Sequence, residues 1–132
     1  MSDQQKPGPS LFRLNIEVGD LNKAAKFYAT LLGQEGRLQG GSRCYFNAGS
    51  VTLQLIQIDA PHLVPKALYF VVEDLDEVHR RATTLSALSE DSVHGMPADK
   101  PVVRPWGERS FYCSDPWGNP LCFVQAGTIY KG

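Results

Sequence analysis

The 132-residue sequence lacks an excess charge of either sign: 13 Lys and Arg stand against 14 Asp and Glu, a net charge of -1. With no global field and no basic stripe on its helical segments, neither nucleic acid nor a membrane surface is an expected partner. It also lacks any apolar run near the roughly 20 residues of a membrane span. Cysteine is scarce and odd in number, and Cys44, Cys113 and Cys122 are too widely spaced for a disulfide framework. The opening MSDQQKPGPS has no apolar stretch of the signal-peptide kind, so reduced thiols in a cytoplasmic setting are expected. Three histidines fit no metal-ligand spacing, and no glycine-rich phosphate loop is present. What remains is an ordinary globular composition, 42% apolar, which argues against disorder along the length.

Against these absences stands an internal repeat. LNIEVGDLNKAAKFYATL from Leu14 aligns with LYFVVEDLDEVHRRATTL from Leu68, with six of 18 positions identical, Asp20/Asp74 and Leu21/Leu75 among them. A second match follows, where VTLQLIQ from Val51 meets NPLCFVQ from Asn119 and shares Leu53/Leu121 and Gln57/Gln125. Two matches in the same order point to two copies of one supersecondary unit.

Each copy reads alike. From Leu11 to Val18, Phe12, Leu14, Ile16 and Val18 alternate with Arg13, Asn15 and Glu17, the period of a strand with one apolar face. Asp20 then caps a helix whose stripe is Leu21, Ala24, Ala25, Tyr28, Leu31 and Leu32, with Gly33 as its stop. In the second copy Asp74 and Glu77 have capping-box spacing, and Leu75, Val78, Ala82 and Leu85 form the stripe. Strands are expected near 35–38, then at 43–48 and 51–57, and in the second copy at 102–104, 109–114 and 121–125. Residues 1–10 read as a mobile tail, 59–65 as a two-proline linker and 86–101 as a long loop. If the last hairpin turns symmetrically about Trp117, position 112 faces 122 and 113 faces 121, so Cys113 and Cys122 point to opposite faces.

GDLNKAAKFYATLLG in the first copy and PWGERSFYCSDPWGNPLCFVQ in the second resemble the vicinal oxygen chelate superfamily, which includes glyoxalase I, bleomycin-resistance proteins and extradiol dioxygenases. The DPWGN turn has its own logic, since Pro116 presets one dihedral and Gly118 permits positive φ. The resemblance implies an α+β fold of two β-α-β-β-β modules forming a cup-shaped, partly open barrel. It covers a single domain over 11–132, with module one about 11–58 and module two about 66–128. It also implies a homodimer. The family's metal enzymes place one ligand on each of four strands, and the matching positions here are Arg13, Gln54, Ala67 and Cys122. Arginine has no lone pair to donate and alanine has no donor atom, so no metal and no cofactor is expected.

The same parity sets Asn15, Gln54 and Tyr69 beside Arg13 on the cup face, with Cys122 following from the repeat. Arg13 there would clamp a carboxylate or carbonyl, Tyr69, Tyr112 and Trp106 would supply stacking area, and Asn15 and Gln54 would fix orientation. Cys113 reads as a small core residue and Trp117 as structural or part of a dimer contact. His79 falls beside Arg80 and Arg81 on a solvated helix face, and His62 and His94 fall in loops. Three functions stay open. The favoured one is a metal-free protein that sequesters an aromatic or drug-like ligand unchanged, with a small molecule as its partner. The others are a glyoxalase- or dioxygenase-type enzyme with relocated metal ligands, and a dimeric interaction module with a filled cup.

Overall fold

The computed structural model describes residues 8–132, so the expected tail lies outside the described residues as far as position 7. Strand β1 (Arg13–Val18) alternates in burial as its sequence requires, with Ile16 and Val18 enclosed and Arg13 and Asn15 exposed. Phe12, expected on the apolar face, is 64% exposed. It precedes the strand, where alternation no longer constrains its side chain, and its ring lies 5.1 Å from the Arg13 guanidinium.

Helix α1 (Leu21–Leu32) starts at Asp20, whose carboxylate accepts from the Lys23 amide at 3.0 Å, and stops at Gly33 with φ 68°. Leu21, Ala24, Phe27, Tyr28 and Leu31 are its buried face. Strands β2 (Arg37–Gln39), β3 (Arg43–Ala48) and β4 (Val51–Gln57) complete the copy. The sheet order is β1-β4-β3-β2, with β1 and β4 parallel and the other pairs antiparallel.

The second copy repeats this plan with β5 (Leu68–Val72), α2 (Leu75–Thr84), β6 (Ser92–Val93), β7 (Met96–Pro97), β8 (Val102–Val103), β9 (Arg109–Ser114) and β10 (Pro120–Gln125). Its sheet order is β5-β10-β9-β8. Asp74 caps α2 through the Glu77 amide at 3.2 Å, but the capping box is half formed. The Glu77 carboxylate accepts from Arg80 and Arg81 instead, and Arg80 chiefly holds its pKa down at about 2. The stretch expected as a plain loop contains the small β6–β7 hairpin, whose two turn residues, His94 and Gly95, have φ 51° and 76°. Positive φ at both central residues is what a tight hairpin turn requires. This stretch returns against α2, so His79 is half-buried rather than solvated. Its Nε2 donates to the Asp99 carbonyl at 2.8 Å, and its ring meets Phe111 edge-on.

The register of β9 and β10 pairs Tyr112 with Cys122 and Cys113 with Leu121, as a symmetric turn about Trp117 demands. Gly118 takes φ 98°. The two glutamines shared by the repeat close the strand–helix joints in parallel. Gln57 Oε1 accepts from the Leu21 amide at 2.8 Å, and Gln125 Oε1 accepts from the Leu75 amide at 3.1 Å. One apolar core draws on both copies, including Ile16, Tyr28, Phe46 and Leu55 from the first and Leu75, Phe111, Leu121 and Phe123 from the second. The copies are further joined where Tyr28 donates to Asp115 at 2.8 Å and Asn119 Nδ2 donates to the Glu17 carbonyl at 3.1 Å. The fold is α+β, with two open, cup-shaped four-stranded sheets that do not close into a barrel. Among the described residues no helix is long and apolar enough to cross a membrane.

Candidate functional site

The face of the second sheet turned away from its helix carries the site. Side chains on one face recur every second residue, so Tyr69 and Val71 of β5, Cys122 and Val124 of β10, and Ser110 and Tyr112 of β9 share it. In the row Tyr69–Cys122–Tyr112 the central side chain is small, which lets the flanking phenols meet above it. Their hydroxyls lie 2.9 Å apart and their rings are edge-to-face at 6.2 Å. Cys122 is consequently fully buried and is not an exposed wall residue. Burial pushes its thiol up to about 11, against the opposing effect of hydrogen bonds with Ser110 and Tyr112. The Tyr112 phenol is also raised, first by burial and then by its bond with Tyr69.

Arg104, beyond the end of β8, is enclosed beside this row at 2% exposure. Its Nε donates to Ser110 Oγ at 3.0 Å, and its two terminal nitrogens donate to the Pro97 and Ser110 carbonyls at 3.0 and 2.9 Å. Its guanidinium also lies over the Tyr112 ring at 5.2 Å. On the facing chain is Glu108, whose backbone carbonyl accepts from the Arg104 amide at 2.7 Å. One Glu108 carboxylate oxygen accepts from Trp106 Nε1 at 2.7 Å and the other from the Tyr130 amide at 2.9 Å. The latter bond brings the C-terminal segment against the sheet. Tyr69, Phe70, Val71, Trp106, Glu108, Val124, Ile129 and Tyr130 then line a cavity of about 430 Å³. That is within the size range of small-molecule sites. A cleft of about 330 Å³ between the helices is rimmed by Glu77 and Arg81, which already satisfy each other.

The expected residues therefore fall into two sets. Tyr69, Tyr112, Cys122 and Trp106 belong to the second sheet and the loop beside it. Asn15 and Gln54 pair on the first sheet, Gln54 Nε2 donating to Asn15 Oδ1 at 2.7 Å, with Arg13 exposed on the same strand as Asn15. Among the described residues no hydrogen bond joins one set to the other. Strand parity assigns a side chain to a face of its own sheet, and says nothing of how two sheets face each other. Sequence reasoning missed Arg104, Glu108, Ser110, Ile129 and Tyr130. Counting back from Tyr112 by twos reaches Ser110 and Glu108, whereas no periodic signal marks Arg104 or the last residues.

The four family ligand positions do not fit a divalent ion. Arg13 and Ala67 offer no lone-pair donor, Gln54 offers a single neutral amide oxygen, and Cys122 is a buried thiol held in its protonated form at neutral pH. Among the described residues no three His, Cys, Asp or Glu side chains cluster as a metal site.

Paired β-α-β-β-β units with open sheets define a class of small cup-forming domains. Residues 10–123 match the family described as the Glyoxalase/Bleomycin resistance protein/Dioxygenase superfamily, and the chain belongs to it. Among solved structures it is similar to oxidase ChaP-H1, at 24% identity and a TM-score of 0.75 over 95% of this chain and 100% of that one. It is similar to the bleomycin resistance determinant encoded on transposon Tn5, at 18% identity and a TM-score of 0.69 over 90% and 99%. Lactoylglutathione lyase from Agrobacterium tumefaciens shares the fold at 22% identity and a TM-score of 0.66 over 92% and 96%. Among curated proteins the chain has no match.

Proposed function

We propose that this chain is a small-molecule binding protein that holds an aromatic or drug-like ligand in the cavity of its second module, without metal and without changing the ligand. The observation that carries this reading is the cavity wall, where Tyr69, Trp106 and Tyr130 present three aromatic side chains around about 430 Å³. Rings of this kind supply large contact area with few rotors to immobilise. In the row beneath, burial keeps the Cys122 thiol and the Tyr112 phenol protonated, so neither supplies a thiolate nucleophile or a phenolate base at neutral pH. An interior open to this extent also counts against an interaction module with a filled cup. The chain forms a homodimer in this proposal, supported by β5, an edge strand whose outer side pairs with no other strand among the described residues.

The test is a melting-temperature screen of planar aromatic compounds against the wild type and Trp106→Ala. At a ligand concentration 100-fold above Kd the expected stabilisation is about 2.7 kcal/mol, and it shrinks in the variant. Nickel, zinc and manganese added to the same protein leave the melting temperature unchanged. A screen in which only a metal ion stabilises the protein would overturn the proposal.

A further inference from the structure

We infer that the aromatic cavity selects ligands carrying a positively charged nitrogen, with Glu108 as the counter-charge. The inference rests on the cavity being the binding site and adds the charge of what enters it. Glu108 lines the cavity yet is only 7% exposed. A carboxylate so enclosed is ordinarily matched by a cation. Among the described residues the ion-paired carboxylates are Glu17 with His62, Glu77 with Arg80 and Arg81, and Asp76 with Arg109. Glu108 and Asp115 are both enclosed without an ion pair, but Asp115 accepts four hydrogen bonds from neutral donors and Glu108 only two.

The cation that could have served is next to it in the fold. Arg104 is bonded to Glu108 through the backbone, but its guanidinium is turned to the Pro97 and Ser110 oxygens and to the Tyr112 ring. Two neutral N–H donors, from the Trp106 indole and the Tyr130 backbone, hold the carboxylate instead. They occupy one acceptor direction on each oxygen, and a carboxylate has about four in all. The remaining acceptor capacity sits in a cavity walled by Tyr69, Trp106 and Tyr130. Aromatic faces attract cations, and Trp gives the strongest attraction. Acceptor and rings thus converge on an ammonium or amidinium borne by a flat apolar body. This is the opposite charge to the one expected from Arg13, whose guanidinium stands exposed on the other sheet.

Three probes of one shape and different charge test this: 1-naphthylmethylamine, protonated at neutral pH, the neutral 1-naphthylmethanol, and 1-naphthylacetate. Calorimetric titration of the full chain is expected to show the amine binding at least about tenfold tighter than the alcohol, and the acetate weakest. Glu108→Gln is expected to erase the amine's advantage while the alcohol still binds. A glutamine amide offers one acceptor where the carboxylate offers two, so the variant's melting curve is recorded as well. If it unfolds, the wild-type ranking decides alone. Equal binding of all three probes, or preference for the acetate, overturns the charge inference and leaves the aromatic binding site standing. No binding by any probe removes both.

Discussion

Five titratable side chains in or against the core are held protonated by the fold. Burial pushes Cys113 up to about 12 and Cys122 up to about 11, and it raises Cys44, Tyr28 and Tyr112 from their ordinary values. In the unfolded chain the thiols titrate near 9.0. Above that pH the unfolded state has lost protons that the native state keeps, so stability falls as pH rises. The melting temperature is therefore expected to be level between about pH 6 and 8 and to drop progressively from pH 9 towards 11. Cys113→Ala makes that drop shallower. A melting temperature unchanged between pH 8 and 11 would contradict the enclosure of these groups. Their burial was only partly legible in the sequence. Cys113 lies on an apolar alternation and read as core, whereas Cys122 is covered by Tyr69, Tyr112, Ser110 and Arg104, a polar roof that no pattern announces.

At the level of elements, the helix starts are where local sequence and structure agree best. Asp20 and Asp74 each satisfy one otherwise unpaired first-turn amide. Asp20→Ala and Asp74→Ala are each expected to lower stability by about 0.5–2 kcal/mol, read as a lower urea midpoint at unchanged slope. Gln57 and Gln125 bond the first amide of each helix from the end of the sheet's partner strand. Their identity was visible as a repeat, but their role depends on which strand ends beside which helix, and that is decided by sheet order. The last hairpin was legible to the residue, because a tight turn with Gly118 sets the register on both sides. The β6–β7 hairpin was not, because strands of two residues carry no period. Arg104 was missed for a different reason. A charged residue beside Pro105 reads as solvated, and its burial depends on acceptors at Pro97 and Ser110 that only the folded loop brings together.

Across the whole molecule, the DPWGN turn acts as the joint between the copies. The Asp115 carboxylate accepts from Tyr28 Oη, from Asn119 Nδ2, and from the Trp117 and Asn119 amides, while Asn119 Oδ1 accepts from Val64 in the linker. With the bond from Asn119 Nδ2 to the Glu17 carbonyl they span up to 102 residues of chain, which ties the packing of each copy to the other. Asp115→Ala strands several buried donors and is expected to cost about 3 kcal/mol. The loss should appear in one cooperative transition, followed alike by circular dichroism and by Trp117 fluorescence in a Trp106→Phe background. Two separated transitions in the parent protein would show that the copies unfold independently.

The wall contributed by Ile129 and Tyr130 has a different consequence. Residues 126–132 form no strand or helix, and the segment is tied down by Thr128 Oγ1, which accepts from the Arg109 amide, and by the Tyr130 amide on Glu108. Apart from Thr128, codons there escape the packing constraints that bind the sheets and helices. Ile129 lines the cavity of the second module and belongs to no strand or helix. In the proposed binding role, drift at Ile129 is a route to a new ligand preference that leaves the sheets and helices untouched.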